Sequence, residues 1–401
     1  MYSKIRRMVL TGVAASVVAA PVFAQKKYDP GATDTEIKIG GISPYSGPAS
    51  AYGAIGKAIG AYFDKVNAEG GVNGRKIKWI SYDDGYNPAK TVEMARKLVE
   101  QDEVLFIFNT LGTPPNSAIH KYMNQKKVPQ LFVATGATKW GDPKNFPWTM
   151  GWQPNYQSES KVFVQHILET KPNAKIALIY QNDDYGKDYL KGFEDGLGDK
   201  AKTMIIKKLS YEVTDPTIDS QLVELKASGA DVFFNITTPK FAAQAIKKMA
   251  EIGWKPTHYL NSVSASVGSV IVPAGVENAV GIITAGYLKD PTDAQWQSTQ
   301  EYKDWLAWMQ KYAPQGDLKD INYVFGYTVA QGVIEVLKKA GDNLTRENIM
   351  KQSANLDFTL PMLLPGINVK TTPDDFFPIE REQLMKWNGK TWERFGKVYG
   401  R

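Results

Sequence analysis

The sequence predicts an α/β protein made of two doubly wound parallel-sheet lobes, and two observations carry this prediction. Short, wholly apolar runs alternate with longer amphipathic segments along most of the chain, which is typical of parallel strands covered by helices on both faces. The alternation stops over residues 140–154, where three prolines and two glycines occur, and then begins again. Two such series indicate two similar lobes rather than one long sheet.

The first series spans residues 36–134. Ile37 and Ile39 indicate a buried strand, Gly70 ends the helix that follows it, and Pro88 suits the first turn of the next helix. The predicted strands are 36–42, 76–82, 104–108 and 130–134, and the predicted helices are 51–68, a segment from residue 88, and 116–125.

The second series begins at residue 158 and closes in a predicted hairpin. Asn388-Gly389 separates two alternating runs, 383–387 and 390–395, and this dipeptide is a strong hairpin signal. The other predicted strands are 176–180, 203–209, 232–236, 258–260 and 280–284. The predicted helices are 158–168, 185–197, 218–227, 241–252, 295–310 and 323–340.

Composition excludes several classes of protein. The chain has 401 residues, 43% of them hydrophobic and 22% charged, with a mean hydropathy of −0.33, which excludes a disordered chain and a polytopic membrane protein. It holds no cysteine and only three histidines, which argues against disulfide scaffolds, cysteine catalysis and histidine-rich metal sites. Phosphate-binding glycine motifs, a Gly-x-Ser-x-Gly elbow and a His-Glu-x-x-His helix do not occur in the sequence. We therefore predict that the protein is not an enzyme and that it binds neither a cofactor nor a metal ion.

The first 24 residues predict a signal peptide. Lys4, Arg6 and Arg7 precede a short apolar stretch that ends at Ala24, the pattern of a secretory signal. A stretch of about 15 apolar residues is too short to cross a bilayer core, which needs roughly 20. We expect cleavage after Ala24 and a periplasmic protein. Removal of these three basic residues lowers the formal net charge from +6 to +3, and no basic stripe indicates a nucleic-acid partner.

Hydroxyl groups, amides and glycines follow the predicted strands. Ligands of open α/β sheets bind beyond the carboxyl ends of the strands, and such polar groups near helix N-termini suit a small carboxylate. The same residue types also cap helices, so the prediction of a binding site depends on these loops together and not on any single residue. These loops are Tyr45-Ser46-Gly47-Pro48, Asn109 to Thr113, Thr135 to Thr138, Asn182 to Tyr185, Thr237-Thr238 and Asn261-Ser262.

A set of short motifs occurs in order along residues 35–400. They are Ser46-Gly47-Pro48, Tyr52-Gly53, Asn67-Ala68-Glu69-Gly70-Gly71-Val72-Asn73-Gly74, Tyr82-Asp83-Asp84, Val128-Pro129, Gly136-Ala137-Thr138 and Asp184-Tyr185-Gly186. Together they resemble the periplasmic leucine/isoleucine/valine-binding protein family. The resemblance implies the type I periplasmic binding fold, in which two lobes on a three-segment hinge close on a small solute. It also implies delivery of that solute to the membrane permease and ATPase of an ABC importer.

The resemblance further implies a set of ligand-binding residues. Thr113 stands where the family has a serine that binds the ligand carboxylate. Thr138 matches a threonine that contacts ligand, and Gly136 matches a residue whose carbonyl accepts from an ammonium group. Tyr52 matches a tyrosine that supports the site in the first lobe, and Tyr185 matches one that the second lobe brings over the ligand.

Two positions depart from the family pattern. Thr238 stands where the amino-acid binders have another tyrosine, and Ser262 stands near their glutamate that pairs with the ligand ammonium. A site without that acid would bury an unpaired ammonium, at a cost of several kcal/mol. This favours an aromatic or other carboxylate without an α-amino group, although a branched-chain amino acid stays open. Further residues that we expect to line the pocket are Tyr45, Trp152, Tyr156 and Tyr323.

We therefore expect a monomeric solute-binding protein whose hinge segments lie near residues 150, 285 and 356. The predicted lobes are residues 33–150 with 286–355, and residues 151–285 with 356–401. Two alternatives stay open. One is a ligand sensor of the same fold, and the other, disfavoured by the missing nucleophile elbow, is an exported α/β hydrolase such as an amidase or esterase.

Overall fold

The structure is a computed structural model that describes residues 26–400. The predicted signal peptide, residues 1–24, lies outside the described residues. Within residues 26–400, none of the helices has the length and hydropathy needed to span a bilayer.

The strands are β1 Lys27–Tyr28, β2 Glu36–Ser43, β3 Lys76–Asp83, β4 Phe106–Phe108, β5 Gln130–Val133, β6 Thr149–Gly151, β7 Ile176–Gln181, β8 Ile205–Tyr211, β9 Val232–Ile236, β10 Thr257–Leu260, β11 Ile283–Gly286, β12 Asn343–Leu344, β13 Asp357–Phe358, β14 Val369–Lys370, β15 Glu382–Trp387 and β16 Trp392–Tyr399. The helices are α1 Gly53–Ala68, α2 Pro88–Glu100, α3 Thr113–Lys126, α4 Tyr156–Thr170, α5 Asp184–Leu197, α6 Ala201–Met204, α7 Asp219–Ala227, α8 Pro239–Glu251, α9 Val272–Ala274, α10 Ala294–Gln297, α11 Gln300–Tyr312, α12 Ile321–Ala340 and α13 Arg346–Ser353.

The first sheet is parallel throughout, in the order β3-β2-β4-β5-β6. Strands β4 and β5 are buried along their whole length, because helices cover both faces of the sheet. Helices α1 and α12 pack on the face that holds Ile39 and Phe106. Helices α2 and α3 pack on the face that holds Ile42 and Ile107. The carboxyl ends of β4 and β5 therefore open between the starts of helices.

The second sheet has the order β16-β15-β11-β10-β9-β7-β8. Its strands β7 to β11 are parallel, and the antiparallel hairpin β15–β16 adds to β11. The hairpin predicted at Asn388-Gly389 is confirmed, since Trp387 pairs with Trp392. Helices α4 and α5 cover one face of the sheet, and α7 and α8 cover the other. The predicted architecture of two doubly wound lobes is thus confirmed.

Three segments within residues 26–400 connect the two sheets. Residues 152–155 lead from β6 to α4, residues 287–290 follow β11, and residues 380–381 precede β15. The buried residues Leu356, Leu363 and Ile379 belong to the same hydrophobic cluster as the first sheet. The lobe boundaries stay a prediction, and this packing favours a third hinge segment near residue 380 instead of near residue 356.

Several elements differ from the sequence prediction, and two of them have a clear local cause. Residues 295–310 form two helices instead of one, because Thr299 caps α11 and its Oγ1 accepts from the N–H of Tyr302 at 3.4 Å. Strand β11 begins at Ile283 rather than at residue 280. Gly281 before it has a φ of 92°, and Val280 is exposed, so these residues form a turn.

Candidate ligand-binding site

A cavity of about 910 Å³, counted with its opening to solvent, lies between the two lobes. Loops of both sheets, the segment after β11, the start of α12 and the β15–β16 hairpin form its walls. Most of the lining side chains are aromatic or aliphatic, and the described lining residues include no lysine, arginine or histidine. Such a wall with few polar groups is typical of a small-molecule site. The predicted site residues that line it are Tyr52, Thr113, Tyr156, Tyr185, Thr238 and Ser262.

The first lobe places a hydroxyl group and a backbone N–H on the cavity wall at Thr113, the first residue of α3. The Thr113 Oγ1 lies 2.5 Å from the Oγ1 of Thr135. The next two residues are prolines, which have no N–H, and the Thr113 N–H has no hydrogen-bond partner within residues 26–400. A free N–H, a hydroxyl and the positive end of a helix dipole are suited to an oxyanion.

A glycine allows this corner of the cavity to form. Gly112 has a φ of 95°, and a Cβ atom there would lie 2.4 Å from the ring of Tyr86. Because only glycine avoids both the strain and the clash, the ring of Tyr86 packs directly against the start of α3. Tyr86 thereby becomes part of the cavity wall.

Five tyrosines from both lobes and the connecting segments line the cavity. Burial raises the pKa of every one of these hydroxyl groups, so all of them are neutral at physiological pH. The ring of Tyr156 stacks on Tyr189 with centroids 4.2 Å apart and meets Tyr185 edge-on at 5.5 Å. These contacts hold the rings in place. The five are Tyr52, Tyr86, Tyr156, Tyr185 and Tyr287.

The second-lobe hydroxyl groups are bound within their own lobe. The Tyr185 hydroxyl donates to the Thr237 carbonyl at 3.0 Å and accepts from the Asn261 amide. The Thr238 hydroxyl donates to Gln181 at 3.3 Å. The second lobe therefore presents mainly ring and methyl surfaces to a ligand, and the free polar groups of the first lobe carry the hydrogen bonding.

An acid that the sequence analysis missed lies behind Ser262. The Glu159 carboxylate accepts from the Ser262 N–H at 2.7 Å, from its hydroxyl at 2.6 Å and from the Tyr189 hydroxyl at 3.0 Å. Glu159 is 1% exposed and does not line the cavity. Ser262 separates this acid from the cavity, so the expectation that the site lacks an acidic partner at this position stays a prediction.

Glu159 has a second buried carboxyl group near it. Burial raises the pKa of both Glu159 and Glu382, and the charge of Glu159 raises that of Glu382 further. Glu382 is 3% exposed, and its Oε2 has no hydrogen-bond partner within the described residues. Burial and the like charge of Glu159 thus both favour the protonated form of Glu382.

One carboxyl group lines the cavity itself, and the sequence analysis missed this group too. Asp290 follows β11 on the connecting segment and is 6% exposed. Its Oδ1 accepts from the Thr292 N–H at 2.8 Å and from the Thr292 hydroxyl at 2.5 Å. Burial raises the pKa of Asp290 to about 6, and the nearby acids Asp293 and Asp320 add to the effect.

Several predicted site residues lie outside the cavity. Gly136 does not line the cavity, and its carbonyl accepts from the Tyr156 N–H at 2.8 Å. Thr138 binds Asp188 of the other lobe through both its N–H, at 2.8 Å, and its hydroxyl, at 3.0 Å. The remaining three are held elsewhere: Tyr45 bonds to Ser81, Trp152 packs on Phe132, and Tyr323 lies against Gly316.

The two lobes contact each other on both sides of the cavity. On one side, Lys139 and Ser117 bind Asp184 at 2.6 and 3.2 Å. On the other side, the Ser266 hydroxyl donates to Asp320 at 2.8 Å. In the wall itself, the Tyr52 hydroxyl donates across the cleft to the carbonyl oxygen of Val263 at 3.0 Å. The structure is therefore a closed arrangement of the lobes.

Within the described residues, no group of three or more histidine, aspartate or glutamate side chains is placed to hold a metal ion. Two pairs of adjacent acids, Asp83-Asp84 and Asp183-Asp184, make hydrogen bonds within the fold. Asp183 caps α5 by accepting from the N–H of Tyr185 at 3.0 Å, and this cap orients the Tyr185 ring. Asp83 accepts from the loop around Ser46 and Asp84 accepts from Thr91 of α2.

Comparison with known proteins identifies the family. The family described as periplasmic binding protein matches residues 36–391. This chain belongs to that family. The chain is 26% identical over 352 residues to Leu/Ile/Val-binding protein homolog 1 of Brucella suis biovar 1, covering 85% of this chain and 86% of the relative. It is 26% identical over 274 residues to homolog 7 of the same organism, covering 64% of this chain and 65% of that protein, just under two thirds of its length.

Solved structures share the fold of this periplasmic binding protein. A branched-chain amino acid ABC transporter protein of Thermus thermophilus with bound valine has a TM-score of 0.81 at 17% identity, covering 92% of this chain and 96% of the other. A solute-binding protein of Rhodopseudomonas palustris BisB5 in complex with 3,4-dihydroxybenzoic acid has a TM-score of 0.74 at 20% identity, covering 91% and 97%. The resemblance to the leucine/isoleucine/valine-binding proteins and the type I periplasmic binding fold are confirmed.

Proposed function

We propose that this periplasmic binding protein captures a small, mainly aromatic or aliphatic carboxylate between its lobes and presents it to an ABC importer. One observation supports the proposal: an apolar, tyrosine-rich cavity has the Thr113 hydroxyl, shared with Thr135, and the Thr113 N–H, unpartnered within residues 26–400, at the start of α3. The carboxylate binds at Thr113, where helix N-terminus, N–H and hydroxyl stabilise it. The rest of the solute packs among the rings.

The site supports a carboxylate without an α-amino group over a branched-chain amino acid. An α-ammonium next to the carboxylate needs an acceptor, but the Gly136 carbonyl and both oxygens of Glu159 already bind other groups. An unpaired buried ammonium is costly. Structural neighbours that bind valine and 3,4-dihydroxybenzoic acid mark the two ligand classes to be compared.

Membership of the family supports a role in transport. We infer that the mature protein is a periplasmic monomer, exported by cleavage after Ala24, and that its partners are a membrane permease and an ATPase. Binding is its activity, with no chemical step and no cofactor. Release of solute to the permease accompanies opening of the lobes, since a ligand shifts the open and closed states by its differential affinity for them.

A thermal-shift screen with matched pairs of compounds tests the proposal. We expect benzoate and phenylpropanoate to raise the Tm, whereas their primary amides do not, because the amide lacks the charge that the start of α3 stabilises. A ligand at 100 times its Kd stabilises by about 2.7 kcal/mol. A strong response to leucine or valine with none to aromatic acids would overturn the ligand class. No response to any carboxylate would overturn the function.

A further inference from the structure

Asp290 places one negative charge in a cavity wall that is otherwise mostly apolar. Its Oδ1 is bound by Thr292, whereas its Oδ2 has no hydrogen bond or ion pair within residues 26–400. The carboxyl group is more than nine-tenths buried and lines the cavity. A solute that reaches Asp290 therefore meets an acceptor oxygen that has no partner within residues 26–400.

Within residues 26–400, no cation pairs with this carboxyl group. The adjacent Lys289 donates to the Pro361 carbonyl at 2.7 Å and lies 3.6 Å from Glu301, so its ammonium group has other partners. The charged groups that act on Asp290 are the acids Asp293 and Asp320. This part of the cavity thus repels a carboxylate and attracts a hydrogen-bond donor.

Asp290 and Thr113 line the cavity from different elements. Thr113 begins α3, after the first sheet, and contacts Thr135. Asp290 lies on the segment after β11, beside Thr292, whose hydroxyl is 3.5 Å from that of Thr391 in the turn of the β15–β16 hairpin. The two residues share no hydrogen-bond partner within residues 26–400, so a solute that binds both needs two separate polar groups.

We propose that Asp290 is a specificity-determining residue that binds a hydrogen-bond donor, hydroxyl or ammonium, on the end of the solute opposite its carboxylate. This inference rests on the proposed function, because it assumes that the carboxylate binds at Thr113. The preferred solute is then an acid with an apolar middle and a hydrogen-bond donor at the far end. Simple apolar acids then bind, but more weakly.

Calorimetry with three related acids tests the inference. The probes are 3-phenylpropanoate, 3-(4-hydroxyphenyl)propanoate and 3-[4-(aminomethyl)phenyl]propanoate, of which the second and third separate hydroxyl from ammonium as the donor. We expect the wild-type protein to bind at least one donor-bearing acid about tenfold more tightly than the plain acid. In Asp290→Asn, Thr292 keeps the side-chain oxygen in place and an N–H₂ group faces the cavity. That preference should disappear.

Asp293→Asn is the matched control. Asp293 is a buried neighbour that caps α10 and does not line the cavity, and asparagine keeps the cap. This variant should retain the wild-type preference. Equal binding of all three acids by the wild type, or an equal loss of affinity for all three in Asp290→Asn, would overturn the inference while leaving the proposed function in place. Failure of every carboxylate to bind would instead overturn the proposed function.

Discussion

At the scale of single residues, the polarity of the site comes from very few groups. Thr113 offers a hydroxyl and an N–H, and Asp290 offers one free carboxyl oxygen. Residues after strand ends, such as Thr113, could be predicted because parallel strands end at a common edge. Asp290 and Glu159 could not, because one lies on a connecting segment and the other on a helix. Their burial depends on how the two lobes meet.

Thr113→Ala should weaken binding of the preferred carboxylate about tenfold or more, since hydrogen bonds to charged groups contribute about 1.5–3 kcal/mol. Calorimetry measures this. The Tm should change little, because Thr135 still accepts from the Ala137 N–H and the Trp140 indole. Thr113→Ser keeps the hydroxyl and should retain most of the affinity. Unchanged affinity in Thr113→Ala would contradict the proposed position of the carboxylate.

Glu382→Gln should stabilise the protein at pH 8 more than at pH 5. Burial and the charge of Glu159 raise the pKa of Glu382 in the folded state. At pH values above about 4.3, the pKa of a glutamate in the unfolded chain, the folded state therefore binds more protons than the unfolded state. The free energy of unfolding therefore falls as pH rises through this range. We expect the variant to raise the Tm at pH 8 by about 2–4 °C, as measured by calorimetry. A larger gain at pH 5 would contradict this.

At the scale of elements, helix starts and close helix contacts shape the site. The Asp183 cap and the stacking of Tyr156 on Tyr189 fix Tyr185 at the start of α5. The sequence pattern predicted α4 and α5 as amphipathic helices, because their apolar residues recur with the helical period. It could not predict that Thr138 would bind Asp188 on α5, since that contact joins residues 50 positions apart.

Gly192→Ala should destabilise the protein by about 1–3 kcal/mol, as overpacking does. A Cβ atom at Gly192 would lie 2.3 Å from the Cα of Gln157, where α4 and α5 touch. Gly196, one turn later, is the matched control: its Cβ would meet side-chain atoms at 3.3 Å, and alanine favours helix by up to about 1 kcal/mol. Urea unfolding of both variants measures the two changes in the free energy of unfolding. Equal stability of the two variants would contradict the close contact.

At the scale of the whole molecule, closure depends on contacts that cross between lobes. Asp184 and Asp188 of α5 bind the first lobe, and the Ser266–Asp320 contact joins the lobes elsewhere. The two-lobed architecture could be predicted because the strand and helix pattern occurs twice. The packing of residues 356–379 with the first sheet could not, because both lobes bury similar apolar segments.

Asp188→Ala should weaken solute binding about tenfold, since it removes both Thr138 bonds from the closed arrangement without changing the cavity wall. Asp195→Ala is the control on the same helix, because the partner of Asp195 within residues 26–400 is the exposed Lys191 of its own lobe. Such surface pairs contribute about 0–1 kcal/mol. Calorimetric affinities compare the two variants. An equal effect of both would show that the Thr138 contact does not favour closure.

A crystal structure of the mature protein with the acid that raises its Tm most would test the central claim directly. We predict electron density for the acid between the lobes, with carboxylate oxygens within hydrogen-bonding distance of the Thr113 hydroxyl and N–H and with its apolar part among the tyrosine rings. A solute bound outside the cleft, or bound there with its carboxylate turned away from α3, would contradict the account.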